Sequence, residues 1–145
     1  MKTESAEERT ITFFRFEDLR IYHKAIDYIE WVHSTTSFFP DSARSTLASQ
    51  FEKAASSIAL NIAEGSARNK SQFIYYLKMA KSSVRECLVY TTIAYKLNLL
   101  TDDTEQESRG VLMEMTKMIG ALIGSLQKNY NGGNDEDSDN NGNND

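Results

Sequence analysis

Residues 57–68 read SIALNIAEGSAR. An apolar helical pattern runs through this stretch, yet Asn61 interrupts it and Glu64–Gly65 closes it. Working outward at about 100° per residue, Leu47, Phe51, Ala54, Ile58 and Ile62 fall in one narrow arc of a helix over about 42–66. Gly65 lies on the same arc and is expected to break the helix at its C-terminus. Gln50, Ser57, Asn61 and Glu64 line one border of the arc, and Ala48, Ala55, Ala59 and Ser66 line the other. Small side chains let a neighbouring helix approach closely. A polar border inside a bundle needs hydrogen-bond partners, because an unpaired buried amide costs about 1–3 kcal/mol. Ser57, Asn61, Glu64 and Gly65 are therefore read as a structural motif. Asn61 and Glu64 are expected to satisfy the open backbone groups where this helix turns into the next.

Three more patterns flank it. The first covers about 16–38, with Leu19, Tyr22, Ala25, Ile26 and Ile29 on one face. Ile21, Tyr28 and Val32 widen that face, and Trp31 points roughly opposite Tyr22. Pro40 stops this helix, and Asp41 or Ser42 can cap the next. The third pattern covers about 72–98 behind a Ser71 cap, with Phe73, Leu77, Ala80, Val84, Cys87, Leu88, Thr91 and Tyr95 on its face. The fourth begins after Thr101, where Thr104 and Glu107 have capping-box spacing. Its face is Val111, Leu112, Met115, Ile119, Leu122 and Leu126. Four long helices with short connections predict an all-α, antiparallel up-down-up-down four-helix bundle over 16–130. Residues 1–15 are expected to form a poorly ordered arm. Residues 131–145 hold no apolar side chain and are expected to be disordered, having nothing to bury against their ordering entropy.

Composition excludes several classes. The 145-residue chain suffices for one domain with a proper core. Cys87 is the single cysteine, so neither an intrachain disulfide nor a multi-cysteine zinc site is available. The N-terminal MKTESAEER lacks the apolar core of a signal peptide, and no apolar run approaches the ~20 residues of a membrane span. A cytoplasmic protein is the expectation. The net charge of -5 conceals a division: residues 131–145 carry five acids and no base, leaving 16 acids against 16 bases elsewhere. Overall pI thus says little about what the folded part binds.

Catalytic and metal chemistry find few residues. Glu30 and His33 have Glu-x-x-His spacing, but a di-iron bundle needs two such motifs and two further inward carboxylates. His23 is preceded three residues earlier by Arg20. Cys87 lies on a core arc with no activating base nearby in sequence and reads as a small buried hydrophobe. Asp137-x-Asp139-x-Asn141-Gly142 is half of a calcium loop, with no twelfth ligand position and no exiting helix. No enzymatic activity, cofactor or metal is expected.

Two surfaces point instead to macromolecular partners. Residues 66–85 contain Arg68, Lys70, Lys78, Lys81 and Arg85 and no acid. Lys78, Lys81, Arg85 and Lys96 fall within about 60° on the third helix, away from its core face. Such a stripe can contact RNA or DNA phosphates, or simply be a solvated face. The helices also carry more apolar area than one bundle covers: Trp31 on the first, and Tyr76, Met79, Tyr90, Ile93 and Leu97 on the third. In the fourth helix Gly120 and Gly124 stand four apart beside Met113. Two glycines inside a helix cost about 1 kcal/mol each relative to alanine, which close packing against another subunit would offset. Trp31, Tyr76, Tyr90, Met113, Gly120 and Gly124 are thus candidates for a homo-oligomer interface.

FEDLRIYHKAIDYI, FFP, QFEKAASSIALNIAEGSAR and FIYYLKMAKSSVRE together resemble the four-helix-bundle family encoded by intervening sequences of bacterial 23S ribosomal RNA genes. That family includes the accessory variability protein of diversity-generating retroelements. The likeness covers about residues 16–130, and Asn61, Glu64 and Gly65, after Ser57–Ile58, are its most specific part. Gln50, Ala54, Ala55, Ser83 and Glu86 also match. The chain departs at Glu52–Lys53, where the family has paired arginines, and at Ser82–Ser83, where it has a Gly-Ser pair. The resemblance implies a homo-oligomer, commonly a pentamer, without known enzymatic activity. Its retroelement branch implies contact with nucleic acid and with a protein partner, a reverse transcriptase. Taken together, the expected role is a non-catalytic oligomeric assembly or adaptor protein; the alternative is a nucleic-acid-binding accessory protein using the basic stripe.

Overall fold

The computed structural model describes residues 14–133. They form four long helices: α1 (Arg20–Thr36), α2 (Ser49–Ser66), α3 (Lys70–Lys96) and α4 (Asp102–Gly133), with no strand among the described residues. A 3₁₀ turn, Arg15–Asp18, precedes α1. An α-helical turn, Asp41–Ala43, and a π-helical segment, Arg44–Ala48, lead into α2. Most of the expected arm and tail lie outside the described residues, but α4 runs three residues into the tail, to Gly133.

The helix ends follow local chemistry, with two shifts from expectation. Asn69, not Ser71, caps α3: its Oδ1 accepts the Gln72 N–H at 2.9 Å. The capping box of α4 is Thr101 with Thr104, three residues before the expected pair. The Thr104 N–H donates to Thr101 Oγ1 at 3.1 Å and the Thr101 N–H to Thr104 Oγ1 at 2.8 Å. Helix α3 ends where Asn98 turns left-handed at φ 61°, a conformation asparagine tolerates well.

Side-chain pairs fix the register. Lys24 pairs with Glu114, and Tyr28 with Ser108 at 2.8 Å. Tyr95 meets Asp102 and Thr91 meets Ser108. Tyr90 reaches Gln50 and Ser83 reaches Ser57. In each set the numbers rise on one helix as they fall on the other, so the paired helices run in opposite directions. Helix α1 packs on α2 and α4, and α3 packs on the same two.

The core is one cluster, centred on Ala25, Tyr28 and Val32 of α1, Phe51, Ile58 and Ile62 of α2, Leu77, Ala80 and Cys87 of α3, and Met115 and Ile119 of α4. Only on α1 does its centre depart from the expected arc. Ile21, Ala25, Tyr28 and Val32 are buried, while Leu19, Tyr22, Ile26 and Ile29 sit on the border. This rotation explains Trp31. Its ring stacks on Tyr28 (centroids 5.7 Å, planes 15° apart) and packs against the core. Trp31 thus belongs to the protomer's own packing rather than to a free outer face.

One polar chain crosses the core. Ser108 Oγ lies 2.8 Å from both Tyr28 Oη and Thr91 Oγ1, and Thr91 Oγ1 donates to the Cys87 carbonyl at 2.8 Å. Three helices meet there with every buried side-chain polar atom partnered, among the described residues. Burial, then the nearby Glu86 charge, pushes the Cys87 thiol from 9.0 up to about 12. Burial likewise raises the Tyr28 hydroxyl. Because folding raises the thiol pKa, its contribution to stability is fully present below pH 9 and is lost as pH rises toward about 12. A thiol reagent at pH 8 should therefore leave native Cys87 unlabelled yet modify it at once in concentrated urea. Rapid labelling of the folded protein would contradict this burial.

Candidate interaction surface of α2 and α3

The motif in Ser57–Gly65 has a specific geometric job. Asn61 Nδ2 donates back one turn, to the Ser57 carbonyl at 2.8 Å and to Ser57 Oγ at 3.1 Å. Ser83 Oγ of α3 then donates to Ser57 Oγ at 3.0 Å. The polar border is thus a hydrogen-bonded link between α2 and α3, rather than a cap for the corner below it. Backbone groups close that corner themselves: the Ala67 N–H donates to the Glu64 carbonyl and the Arg68 N–H to the Gly65 carbonyl.

Gly65 is not a breaker. It lies inside α2, buried, without a positive φ. A β-carbon built on it would stand 2.5 Å from Tyr76 Cβ and 3.0 Å from Phe73 Cδ1. Glycine is required because α3 passes directly over this point. Glu64 binds Arg68 at 2.5 Å, and the Arg68 guanidinium lies 5.6 Å from the centre of the Tyr76 ring. Asn61, Ser57, Gly65, Glu64 and Arg68 together fix how far, and at what rotation, α3 sits on α2.

That rotation turns a second apolar edge of α3 outward. Tyr75 (58% exposed), Met79 (42%), Val89 (56%) and Ile93 (39%) are on it, with Leu97 at its end. Ser82 and Glu86, also exposed, fill the spaces. From Tyr75 to Ile93 the spacing alternates between four and three residues, as in the contact seam of a coiled coil. Surplus apolar area in the sequence points to Met79, Ile93 and Leu97 but not to Tyr75 or Val89; the 4-3 alternation is the signal that marks those two. The other interface candidates divide. Tyr90 is half-buried, stacking on Phe51 and donating to Gln50 Oε1 at 3.3 Å. Tyr76 is half-buried over Gly65. Met113 is 56% exposed on α4. Gly120 and Gly124 each have open space where a side chain would stand.

The basic candidates are also sorted. Arg68 is engaged by Glu64 and Tyr76. Lys70, Lys78, Arg85 and Lys96 are exposed and Lys81 is half-buried, and none of them makes an ion pair among the described residues. The α3–α4 register places residues 66–85 alongside the C-terminal part of α4. Residues 115–133 of that part contain Lys117 and Lys128 and no acid. These two stretches make one basic end. Residues 86–114, at the other end, carry six acids and two bases.

A cleft lies where α1 meets the π-helical segment, lined by His33, Thr36, Asp41, Arg44, Ser49 and Glu52 among others. Glu52 Oε1 accepts from Thr36 Oγ1 at 2.9 Å and lies 3.3 Å from His33 Nδ1. His33 thus pairs with Glu52 rather than forming a ligand pair with Glu30. His23 Nε2 contacts the Glu17 carbonyl at 2.5 Å. No group of three or more metal-ligating side chains gathers among the described residues. No described helix is long and apolar enough to cross a membrane.

The fold is that of an all-α, four-helix protein whose polar motif locks its two central helices together. The family model of the 23S rRNA-intervening sequence protein matches residues 17–121, and the chain belongs to that family. A comparison with curated proteins finds no match.

Proposed function

We propose that the protein is a non-catalytic, self-assembling adaptor in the cytoplasm, built as a ring of five protomers. The observation that carries this reading is the exposed seam of α3. A helix that is apolar on its core side and again on its outer side is made for burial on both. A closed ring needs two different complementary patches on each copy. The seam Tyr75–Met79–Val89–Ile93 supplies one. The outer side of α4, where Met113 projects beside the open spaces at Gly120 and Gly124, supplies the other. The number five is what the family resemblance implies.

Sedimentation at micromolar concentration should give five times the chain's 16.4 kDa. Replacing Val89 and Ile93 together by glutamate should yield 16.4 kDa monomers with unchanged far-ultraviolet circular dichroism, since neither residue is in the core. A native chain that sediments as a monomer overturns the proposal.

The basic end favours a second reading, a nucleic-acid accessory protein. Exposed Lys78 and Arg85, with Lys81 between them, present unpaired charge to a phosphate backbone. Lys78, Lys81 and Arg85→Ala should then make the log–log salt dependence of oligonucleotide binding shallower by about 2. An unchanged slope removes this role from the stripe.

A further inference from the structure

We propose that the cleft between α1 and α4 binds a small phosphate monoester, with Arg20 and Lys117 holding the dianionic phosphate. Its lining comes from these two helices alone, so the site is separate from the seam and the basic stripe of α3. The inference needs neither the ring nor a nucleic-acid partner.

The cleft is an open groove of about 450 Å³, a size common among small-molecule sites. Helix α1 supplies Arg20, Lys24 and Asp27 from one face, and α4 supplies Glu114, Lys117 and Met118. His23, on the same face of α1, is engaged by the Glu17 carbonyl at 2.5 Å. Lys24 and Glu114 bind each other across the groove. The Lys24 hydrogen bond and charge, and more weakly the charge of Lys117, hold the Glu114 carboxyl below its ordinary 4.5. Lys117 is thus close to this pair without being bound in it. Arg20, Lys117 and Asp27 are exposed, and none of them makes an ion pair among the described residues.

The register sorts these charges into two ends. Lys24 stands opposite Glu114. Four residues back along α1 is Arg20, and four residues on along α4 is Met118, next to Lys117. The two helices are antiparallel, so both steps lead the same way, by about 6 Å. Arg20 and Lys117 therefore flank one end of the groove, beside the half-buried Met118. Asp27 lies at the other end, about 10 Å from Arg20 along α1. Two unpaired cations at one place match a ligand charge of about -2, which a phosphate monoester carries near neutral pH. A carboxylate or a phosphodiester link brings half of that. The planar arginine fork takes two phosphate oxygens, and lysine adds a point charge. Met118 offers apolar contact to the carbon skeleton. Asp27 accepts from hydroxyl or amino groups and repels a second phosphate, so the far end selects a polar, uncharged remainder over a longer polyanion.

The test titrates the full chain with ribose 5-phosphate at about 0.1 M salt, following backbone amide signals by NMR. Saturable shifts should appear in residues 20–27 and 114–118 at concentrations on the order of millimolar, with α2 and α3 unmoved. Arg20→Ala and Lys117→Ala should each raise the half-saturation concentration about tenfold, whereas Lys128→Ala, at another exposed base of α4, should not change it. Neither Arg20 nor Lys117 has a partner to lose, so unmoved α2 and α3 signals will show that the fold survives. Inorganic phosphate should shift the same amides. Asp27→Asn should weaken ribose 5-phosphate while leaving inorganic phosphate as tight or tighter; a parallel response of the two probes overturns the role given to the far end. Shifts that fail to saturate, that spread to all the bases, or that acetate reproduces at equal concentration overturn the proposal. So does displacement of ribose 5-phosphate by an unphosphorylated single-stranded oligonucleotide, which would make the cleft part of a polyanion surface.

Discussion

Gly65→Ala should destabilise the protein by about 2 kcal/mol, read as a lower urea midpoint at unchanged slope. Within a helix, alanine is ordinarily better than glycine by about 1 kcal/mol, so propensity alone predicts the opposite sign. Space decides against it. The new methyl would meet Tyr76 Cβ at 2.5 Å. That atom is bonded directly to the backbone of α3 and cannot swing aside as the end of a flexible side chain could. Either α3 moves out along its length or α2 bends. Both loosen the Ser83–Ser57 hydrogen bond and the Arg68–Tyr76 contact. Gly124→Ala is the control: a methyl there meets nothing within 4 Å. It should be neutral or stabilising by up to about 1 kcal/mol in the monomer. If both variants behave alike, the close approach at Gly65 is not what the residue is for.

Ser108→Ala should cost about 1–3 kcal/mol although it removes one oxygen. The loss is not the Ser108 hydroxyl itself but what it leaves behind. Thr91 keeps its bond to the Cys87 carbonyl, whereas Tyr28 loses its 2.8 Å partner and keeps only its weaker contact with Thr91 inside the core. Tyr28→Phe in the same chain removes the poorly partnered hydroxyl and should restore much of the deficit. The two changes therefore couple strongly in a double-mutant cycle, by on the order of 1 kcal/mol or more. Additive losses would mean that water reaches Tyr28.

The helices were legible because their core arcs are strong. Phe51, Ile58 and Ile62 on α2, and Leu77, Ala80, Val84 and Cys87 on α3, are buried where periodicity puts them. Legibility failed where more than one solution satisfied the same pattern. On α1, apolar residues surround most of the circumference, and only packing against α2 and α4 chooses Ile21–Ala25–Tyr28–Val32 as the inward row. Periodicity puts Leu88 on the α3 core face, yet it is 36% exposed, at the edge where the arc runs out. Gly65 shows the same limit in another form. A glycine near a helix end reads as a breaker, and only the position of Tyr76 on a different helix reveals it as a point of contact. The π-helical segment Arg44–Ala48 had no signature in composition. The basic stripe is legible residue by residue, but the level of Lys128 beside it depends on the α3–α4 register, and Lys117 turns instead toward α1, in a cleft with Lys24, Asp27 and Glu114.

Separating positive from negative charge along two adjacent antiparallel helices gives each protomer a permanent electric moment. Such a body turns in an applied field, and it turns near a charged object before touching it. It should meet an anion-bearing matrix end-on, with Lys70 and Lys128 leading and the Asp102–Glu107 end trailing. Chromatographic retention would then track the polarity of the molecule rather than its pI of about 5.1, which predicts that a cation exchanger would not hold it at neutral pH.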